Sequence, residues 1–412
     1  MKKIILLAIL LIPISCGGGG SGSTTSIFIP SSTPSSSPAS SNTLTNNVPA
    51  EKKYEQPITK ETFADPKIQA QSYQKILKAL ETNDFEYIFK EYDAGGLKIS
   101  AIRAETEFND YPLNYTINSV AQNIGQIGMN KTNLYDYTLV DRKVILKNAL
   151  RNLMIQSVRG QARRLVENNI KDLTDDNKFG EDIAKNTAIF FYGSDNNTVL
   201  EGSPASFVKT VEVNNKIKAY DNIVSSLNVL NSEAKKGDLS KLILSRDLIE
   251  TNLVKTLYIS LLDKVATAIS KKDNSFILDA EYFYLSIKNF IKSSDNTNTF
   301  QVEKLFFSKD YNSVKYTDFE RALASGLKEK ALIEMENAIK NMENKNFEAV
   351  TSATLAKLYL DIINESYDNP RFTKTGDPEM TKASDSFINA IKLKDKNLAN
   401  TSKDKLFKIF LK

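Results

Sequence analysis

The chain has 412 residues, 54 of them Lys or Arg and 50 Asp or Glu, with no His, no Trp and a single Cys. Zinc sites of His/Cys type, Ser-His-Asp and Cys-His catalysis, haem ligation through His, iron–sulfur clusters and structural disulfides are thereby excluded. The charge is nearly balanced, +4 in all and +2 once Lys2 and Lys3 are set aside, which gives no sign of the one-sided basic surface that nucleic acids require.

Lys2 and Lys3 precede an apolar run from Ile4 to Ile12 that ends Pro13-Ile14-Ser15-Cys16-Gly17. A short charged region, an apolar stretch of this length and a small residue before the lone Cys predict a secretory signal over residues 1–15 rather than a spanning helix. This is the arrangement of a bacterial lipoprotein signal, in which the Cys16 thiol takes a diacylglycerol and the new amino terminus is acylated with palmitate-type chains. Pro13 departs from the usual Leu or Val three residues before the Cys, and the alternative is an ordinary secretory signal with a free Cys nearby. Acyl chains contribute about 0.8 kcal/mol per buried methylene and anchor a protein without a span. No later segment offers the roughly 18 uncharged apolar residues that a span needs. The expected location is the cell envelope, outside the cytoplasm, and Gly17 in place of Asp favours the outer membrane if the host has two.

Residues 16–50 are the Cys followed by a Gly, Ser, Thr, Pro and Asn tract almost without charge. Such composition cannot bury enough apolar area to offset its ordering entropy, so it reads as a tether spanning about 30 Å on average. Residues 51–412 then predict an all-α body, a helical bundle of long amphipathic hairpins. Apolar residues recur at helical spacing over 68–80, 140–170, 182–192, 216–231, 238–270, 276–291, 319–342, 347–363 and 380–393. Gly95-Gly96 marks a turn, Gly237 closes a helix and Asp238 caps the next. Prolines outside the tether fall at loops, among them Pro112, Pro204, Pro370 and Pro378. The best strand candidate is 208–213. Glu105-Thr106-Glu107 with Asp110 reads as a solvated acidic loop, and 328–345 as a solvent face with a Glu336/Lys340 pair. Residues 172–181 have the composition of a calcium loop without its spacing, because Phe179 falls where an oxygen ligand is required, and they read as a capping loop.

Two stretches resemble each other. Arg142-Lys143-Val144-Ile145 aligns with Arg246-Asp247-Leu248-Ile249, and Glu181, Phe190 and Asn196 align with Glu281, Phe290 and Asn296. Either a helical hairpin within 140–300 was duplicated, giving two pseudo-equivalent halves, or two amphipathic helices align by chance. Arg246 interrupts an apolar stripe and Arg142 holds the matching place. A guanidinium cannot lose its proton and is costly to bury without a carboxylate, so Glu281 and Glu181 are the expected partners.

Two readings follow for these residues. In one, Arg246 and Arg142 form structural ion pairs. In the other, Glu281 and Glu181, with Glu250 or Asp279, line a pocket for a cation. Without His a metal could take only oxygen ligands, which suits Ca²⁺, Mg²⁺, Mn²⁺ or ferric iron. Tyr192, Tyr258, Tyr282 and Tyr284 lie on the same helices, as iron ligands or simply as core aromatics. The candidate metal set is Glu281, Glu181, Glu250, Tyr192 and Tyr284. No phosphate loop or nucleophile elbow is present, no catalytic residue is nominated, and an enzyme is not expected. A carboxylate hydrolase would need two carboxylates about 5–10 Å apart, which sequence cannot place.

Ala184-Lys185-Asn186-Thr187-Ala188-Ile189-Phe190-Phe191-Tyr192-Gly193, a loop through Pro204, a helix with Asn228, then Arg246, Ile249, Leu253, Tyr258 and Ala280-Glu281-Tyr282-Phe283-Tyr284 resemble the secreted algal iron-assimilation proteins over about residues 140–325. The resemblance implies a mostly helical extracytoplasmic protein that binds iron through carboxylates and Tyr without catalysis. The chain lacks the cysteines of the algal members. The imelysin-like iron-regulated lipoproteins, another helical family, carry a His/Glu metal motif that a chain without His cannot supply. The expectation is a lipid-anchored extracytoplasmic helical binding protein that captures iron or another oxygen-liganded cation. The alternative is a non-catalytic envelope lipoprotein with a structural or protein-interaction role. Its partners would be the membrane through the anchor, a metal ion or an envelope protein, and no nucleic acid.

Overall fold

The structure, a computed structural model, describes residues 65–108, 111–171, 178–234, 237–293, 297–367 and 378–410. The signal, Cys16, the tether, Asp110 and Pro370 lie outside the described residues, as do residues 172–177 of the expected capping loop.

The body is all-α. Asp65 starts the first helix, α1 (Pro66–Thr82), by accepting the Lys67 N–H, and Asn83 ends it in the left-handed conformation, a residue type that tolerates it. Then come α2 (Phe85–Ala94), α3 (Leu97–Phe108) and α4 (Leu113–Gln122). A two-residue ladder follows, β1 (Gln126–Ile127) antiparallel to β2 (Thr132–Asn133), with Ile127 opposite Thr132. The middle of the chain holds α5 (Leu139–Lys171), α6 (Lys178–Tyr192), α7 (Pro204–Asn215), α8 (Tyr220–Glu233), α9 (Leu239–Lys271) and α10 (Ser275–Ile291). The last part holds α11 (Thr297–Ser308), α12 (Tyr316–Asn341), α13 (Asn346–Tyr367), α14 (Pro378–Leu393) and α15 (Lys396–Phe410).

Helices α5 and α9, each 33 residues long and so about 50 Å, pack on each other and carry the rest. Helices α3, α4, α6 and α10 lie against α5, while α8, α10 and α13 lie against α9, and α12 to α15 pack as successive hairpins. Every residue of α9 from Ile249 to Leu262 is buried, so this helix has no solvent face in its middle. Its buried hydroxyls bring their own partners. Thr251, Thr256 and Ser260 donate to the carbonyls of Asp247, Asn252 and Thr256, four residues earlier. The Lys255 ammonium donates to the Lys218 carbonyl at 2.9 Å. Asp238 caps this helix as expected, accepting the Lys241 N–H at 3.3 Å, and Gly237 adopts φ +66°.

Three local expectations are corrected. Residues 208–213 are helical within α7, because Ser203 accepts the Ser206 N–H and Pro204 occupies the first turn, a strong start signal. Val208, Val211 and Asn215 then fall on its buried face. Glu105 and Glu107 belong to α3, not to a solvated loop; the Glu105 carboxylate accepts the Asn114 N–H at 2.5 Å and thereby caps α4. Within 328–345, Lys328 lies over the Phe410 ring at 5.5 Å and Glu336 faces Lys403 of α15 at 3.8 Å. That block is therefore partly an interhelix surface. One glycine is dictated by packing: a Cβ on Gly326 of α12 would stand 1.8 Å from the Ile291 carbonyl oxygen at the end of α10.

Candidate functional site

Arg159, Arg163 and Arg164 stand on one stretch of α5, where it meets α3 and α9. Arg159 and Arg163, one turn apart, both lie 4.4 Å from the centroid of the Phe108 ring. Both also reach Glu250 of α9. Arg163 Nη2 is 2.5 Å from its Oε1, and Arg159 Nη2 donates to the same oxygen. Burial alone would push this carboxyl up, but the two guanidinium charges outweigh it and hold the group at about 2. Three residues earlier, burial pushes Asp247 up to about 6, against the pull of Arg246 at 2.7 Å. Two buried carboxylates on one helix thus move in opposite directions, because one has two cations within hydrogen-bond reach and the other only one.

Beside this cluster α1, α3, α5 and α6 enclose a cleft of about 230 Å³. Helix α3 contributes Arg103 and Glu107, bonded to each other at 2.5 Å, and Arg164 of α5 stands 3.7 Å from the same Glu107 oxygen. Gly160 makes room for this triad; a Cβ there would come within 2.7 Å of Glu107 Oε2. The amides of Gln69, Gln156, Gln161 and Asn186 line it, together with Ile99, Ile183 and Phe190. The Gln69 side-chain oxygen accepts from Ser100 Oγ at 2.7 Å, and that of Gln156 from Arg159 Nη1 at 2.7 Å. Guanidinium, amide and apolar groups thus converge on one space.

The residues nominated from sequence are distributed differently. Glu250 sits between Arg159 and Arg163. Glu281 does not meet Arg246; it is buried on α10 and accepts the Met129 N–H at 2.6 Å from the turn between β1 and β2. Gly128, at φ +74°, lets that turn approach, since a Cβ there would lie 2.8 Å from Glu281 Oε1. Burial raises the Glu281 carboxyl, against the Met129 N–H and the charge of Lys309. Arg246 takes its neighbour Asp247 instead, at 2.7 Å. Arg142 is no ion pair with Glu181: it donates to the Val120 carbonyl at 2.7 Å and lies 4.2 Å from the Phe85 ring centroid. The open carbonyls at the end of α4 draw a cation there. Burial alone lowers its proton affinity.

Glu181 lies half-buried in the first turn of α6. Tyr284 donates to Glu303 at 3.2 Å and stacks on Phe306, while Tyr192 packs edge-on against Phe191. Asp279 accepts from Asn148 and Lys264. The hydroxyls of Tyr258 and Tyr282 are buried without a hydrogen-bond partner, and burial pushes both well above the ordinary phenol value. Glu250, Glu281 and Tyr284 thus each serve a separate structural contact. Among the described residues no group of three or more Asp, Glu, His or Cys side chains stands together as a metal cage.

The arginine run and the cleft are what sequence reading missed. The arginine run left a signal: Arg159, Arg163 and Arg164, with Gln156 and Gln161, recur at helical spacing among the buried Val158, Ala162, Leu165 and Val166 of α5. No protein-family model, curated protein or solved structure matches the chain.

Proposed function

We propose that this is a non-catalytic, lipid-anchored binding protein of the cell envelope, and that its ligand site is the cleft between α1, α3, α5 and α6. The leader and Cys16 support the anchor, and the low-complexity stretch supports a body held on a tether. The observation that carries the binding reading is the cleft itself: a concave space lined by two arginines, four amides and the apolar Ile99, Ile183 and Phe190. Convergent polar groups over an apolar wall are the common form of small-ligand sites. The ligand moves from a cation to the cleft because Glu250, Glu281 and Tyr284 are already engaged by arginines, a backbone N–H and Glu303.

The test is a thermal-shift survey of the full chain against small polar molecules of every charge class, run beside Ser157→Phe, which fills the cleft from α5. A ligand that stabilises the native protein and not the variant supports the reading. Ferric iron that stabilises both equally would return the function to cation capture elsewhere. Stable co-purification of an envelope protein, with no cleft-dependent ligand, would establish the structural alternative.

A further inference from the structure

Helices α5 and α9 run in opposite directions. Arg159 pairs with Glu250 at one level, while Asn148 and Lys264 both hold Asp279 nearer the start of α5 and the end of α9. The loops at that end are tied together. The Asn130 amide donates to the carbonyls of Phe306 and Phe307 at 3.1 and 3.0 Å, Lys309 to the Thr132 hydroxyl at 2.8 Å, and the Tyr311 N–H to Asn274 at 2.9 Å. The Leu134 N–H meets the Gly125 carbonyl at 3.0 Å, which sets the chain at Ile124 beside that at Tyr135. Helix α5 reaches the core only at Ile145 and Leu146, so its opening residues are left outside. Tyr135 is 72% exposed, Val140 67%, Phe307 51%, Ile124 49% and Leu139 47%. Single exposed apolar residues are ordinary, but a group of them on one surface marks a contact site.

Lysines stand among these groups. Lys131 and Lys272 are exposed, and Lys309 lies 5.2 Å from the Tyr137 ring centroid. Asp136, Asp141, Asp273 and Asp310 share this end, the last three bonded to Thr138, Ser275 and Asn312. The charge is therefore close to balanced, and the apolar groups decide what binds. An amphipathic Tyr with long Lys stems around an apolar centre suits the boundary between headgroups and acyl chains. The anchor proposed above, on which this docking rests, keeps a bilayer beside the body. The described chain begins at Asp65, and α1 then covers about 25 Å before Phe85, whose ring lies 4.2 Å from Arg142 at the start of α5. The tract read as a tether spans about 30 Å on average, so this end is within its reach. Tethering also makes the contact intramolecular, and a surface too small to hold a free protein is then sufficient. We propose that the end formed by Ile124, Tyr135, Leu139, Val140 and Phe307 docks on the lipid bilayer that carries the anchor. Its apolar side chains enter the interface by about 5–10 Å, with Lys131, Lys272 and Lys309 at the headgroups. The cleft beside Ser157 then stands about 25 Å further along α5, clear of the lipid.

The chain contains no Trp, so one substitution supplies a unique fluorophore. Full-length protein carrying Tyr135→Trp is reconstituted into vesicles of phosphatidylethanolamine and phosphatidylglycerol, with and without a lipid brominated on its acyl chain. The control is Phe347→Trp, 43% exposed beyond the far end of α12, whose 26 residues carry the chain about 40 Å from Tyr316. The Trp at 135 should shift to the blue and lose most of its emission to the bromines, and the Trp at 347 should do neither. Adding Val140→Asp to Tyr135→Trp should restore most of that emission. An acidic residue is favourable in the first turn of a helix, so this change removes apolar surface without harming the fold.

Equal emission of the Trp at 135 in plain and brominated vesicles, from protein that floats with them, overturns the docking and leaves the anchor standing. Equal quenching at 135 and 347 overturns it as well. A blue shift without quenching that grows with protein density would show a second copy covering this end, and also overturns it. Protein that does not float but is quenched at 135 when vesicles are added would refute the anchor and keep the docking; protein that does neither refutes both.

Discussion

Glu250→Gln is expected to destabilise the protein by about 3 kcal/mol at pH 7. The carboxyl is held from 4.5 down to about 2, and about 1.36 kcal/mol per pH unit converts that displacement to about 3 kcal/mol. The residue is 8% exposed, so solvent screening discounts little of it. Removing one partner of a buried ion pair costs a similar amount, about 3–5 kcal/mol, because the remaining charge is stranded. Here two cations would be stranded, Arg159 and Arg163, both against Phe108. The folded value lies below the unfolded one, so this stability is whole above pH 4.5 and is lost as pH falls through about 2. Asp247 works the other way. Its folded value of about 6 lies above 3.8, so its contribution is whole below 3.8 and is lost as pH rises through 6. Neutralising Glu250 relieves part of that repulsion and trims the measured cost. Urea unfolding of the full chain at pH 7 and pH 3 reads both effects, and at pH 3 the cost should fall to about half. A cost below about 1 kcal/mol at pH 7, or the same cost at both pH values, would refute the electrostatic argument. Converting the whole group to Met, Met and Leu should recover much of the loss.

Gly326→Ala should cost about 1–3 kcal/mol, because its Cβ meets the Ile291 carbonyl; a melting temperature equal to that of the native protein would contradict that close approach. Glu281→Gln keeps an acceptor for the Met129 N–H and removes a carboxyl that burial has raised, so at pH 7 it should be neutral or stabilising. Glu281→Leu strands that N–H and should cost about 1–3 kcal/mol; equal effects of the two changes in chemical denaturation would show that the hydrogen bond is irrelevant. The stability gained from protonated Glu281 is present at low pH and fades as pH rises through its raised folded value. Glu281→Gln should flatten that slope. Cys16→Ser should move the protein from the membrane fraction to an unlipidated precursor or soluble form, and unchanged fractionation would refute the anchor.

The helical body was legible because burial imposes a period. The Asp238 cap of α9 stands in the sequence as it stands in the fold, while its apolar stripe understates the burial, which takes in every residue from Ile249 to Leu262. Helix α3 escaped because its buried positions, Leu97, Ala101 and Ala104, are few and mostly small. The β-branched residues of α7 suggested a strand until Ser203 and Pro204 are weighed as a start signal. Pairing of charges was least legible. Periodicity says that Arg246 lies on an apolar stripe, but not which neighbour reaches it, and Asp247, the next residue along the chain, does. Glu281 and Arg246 lie on successive helices, yet the turn at Gly128 and Met129 reaches Glu281 from 152 residues away. The cleft was invisible for a related reason: its walls come from four helices, and amides at helical spacing look the same whether they face water or a ligand.

Native mass spectrometry of the full-length protein, isolated gently from the cells that make it, tests the binding role most directly. A small-molecule adduct is expected on the native chain, lost on mild activation and absent from Ser157→Phe prepared in the same way. An adduct-free native protein, or an adduct that persists when the cleft is filled, would contradict it.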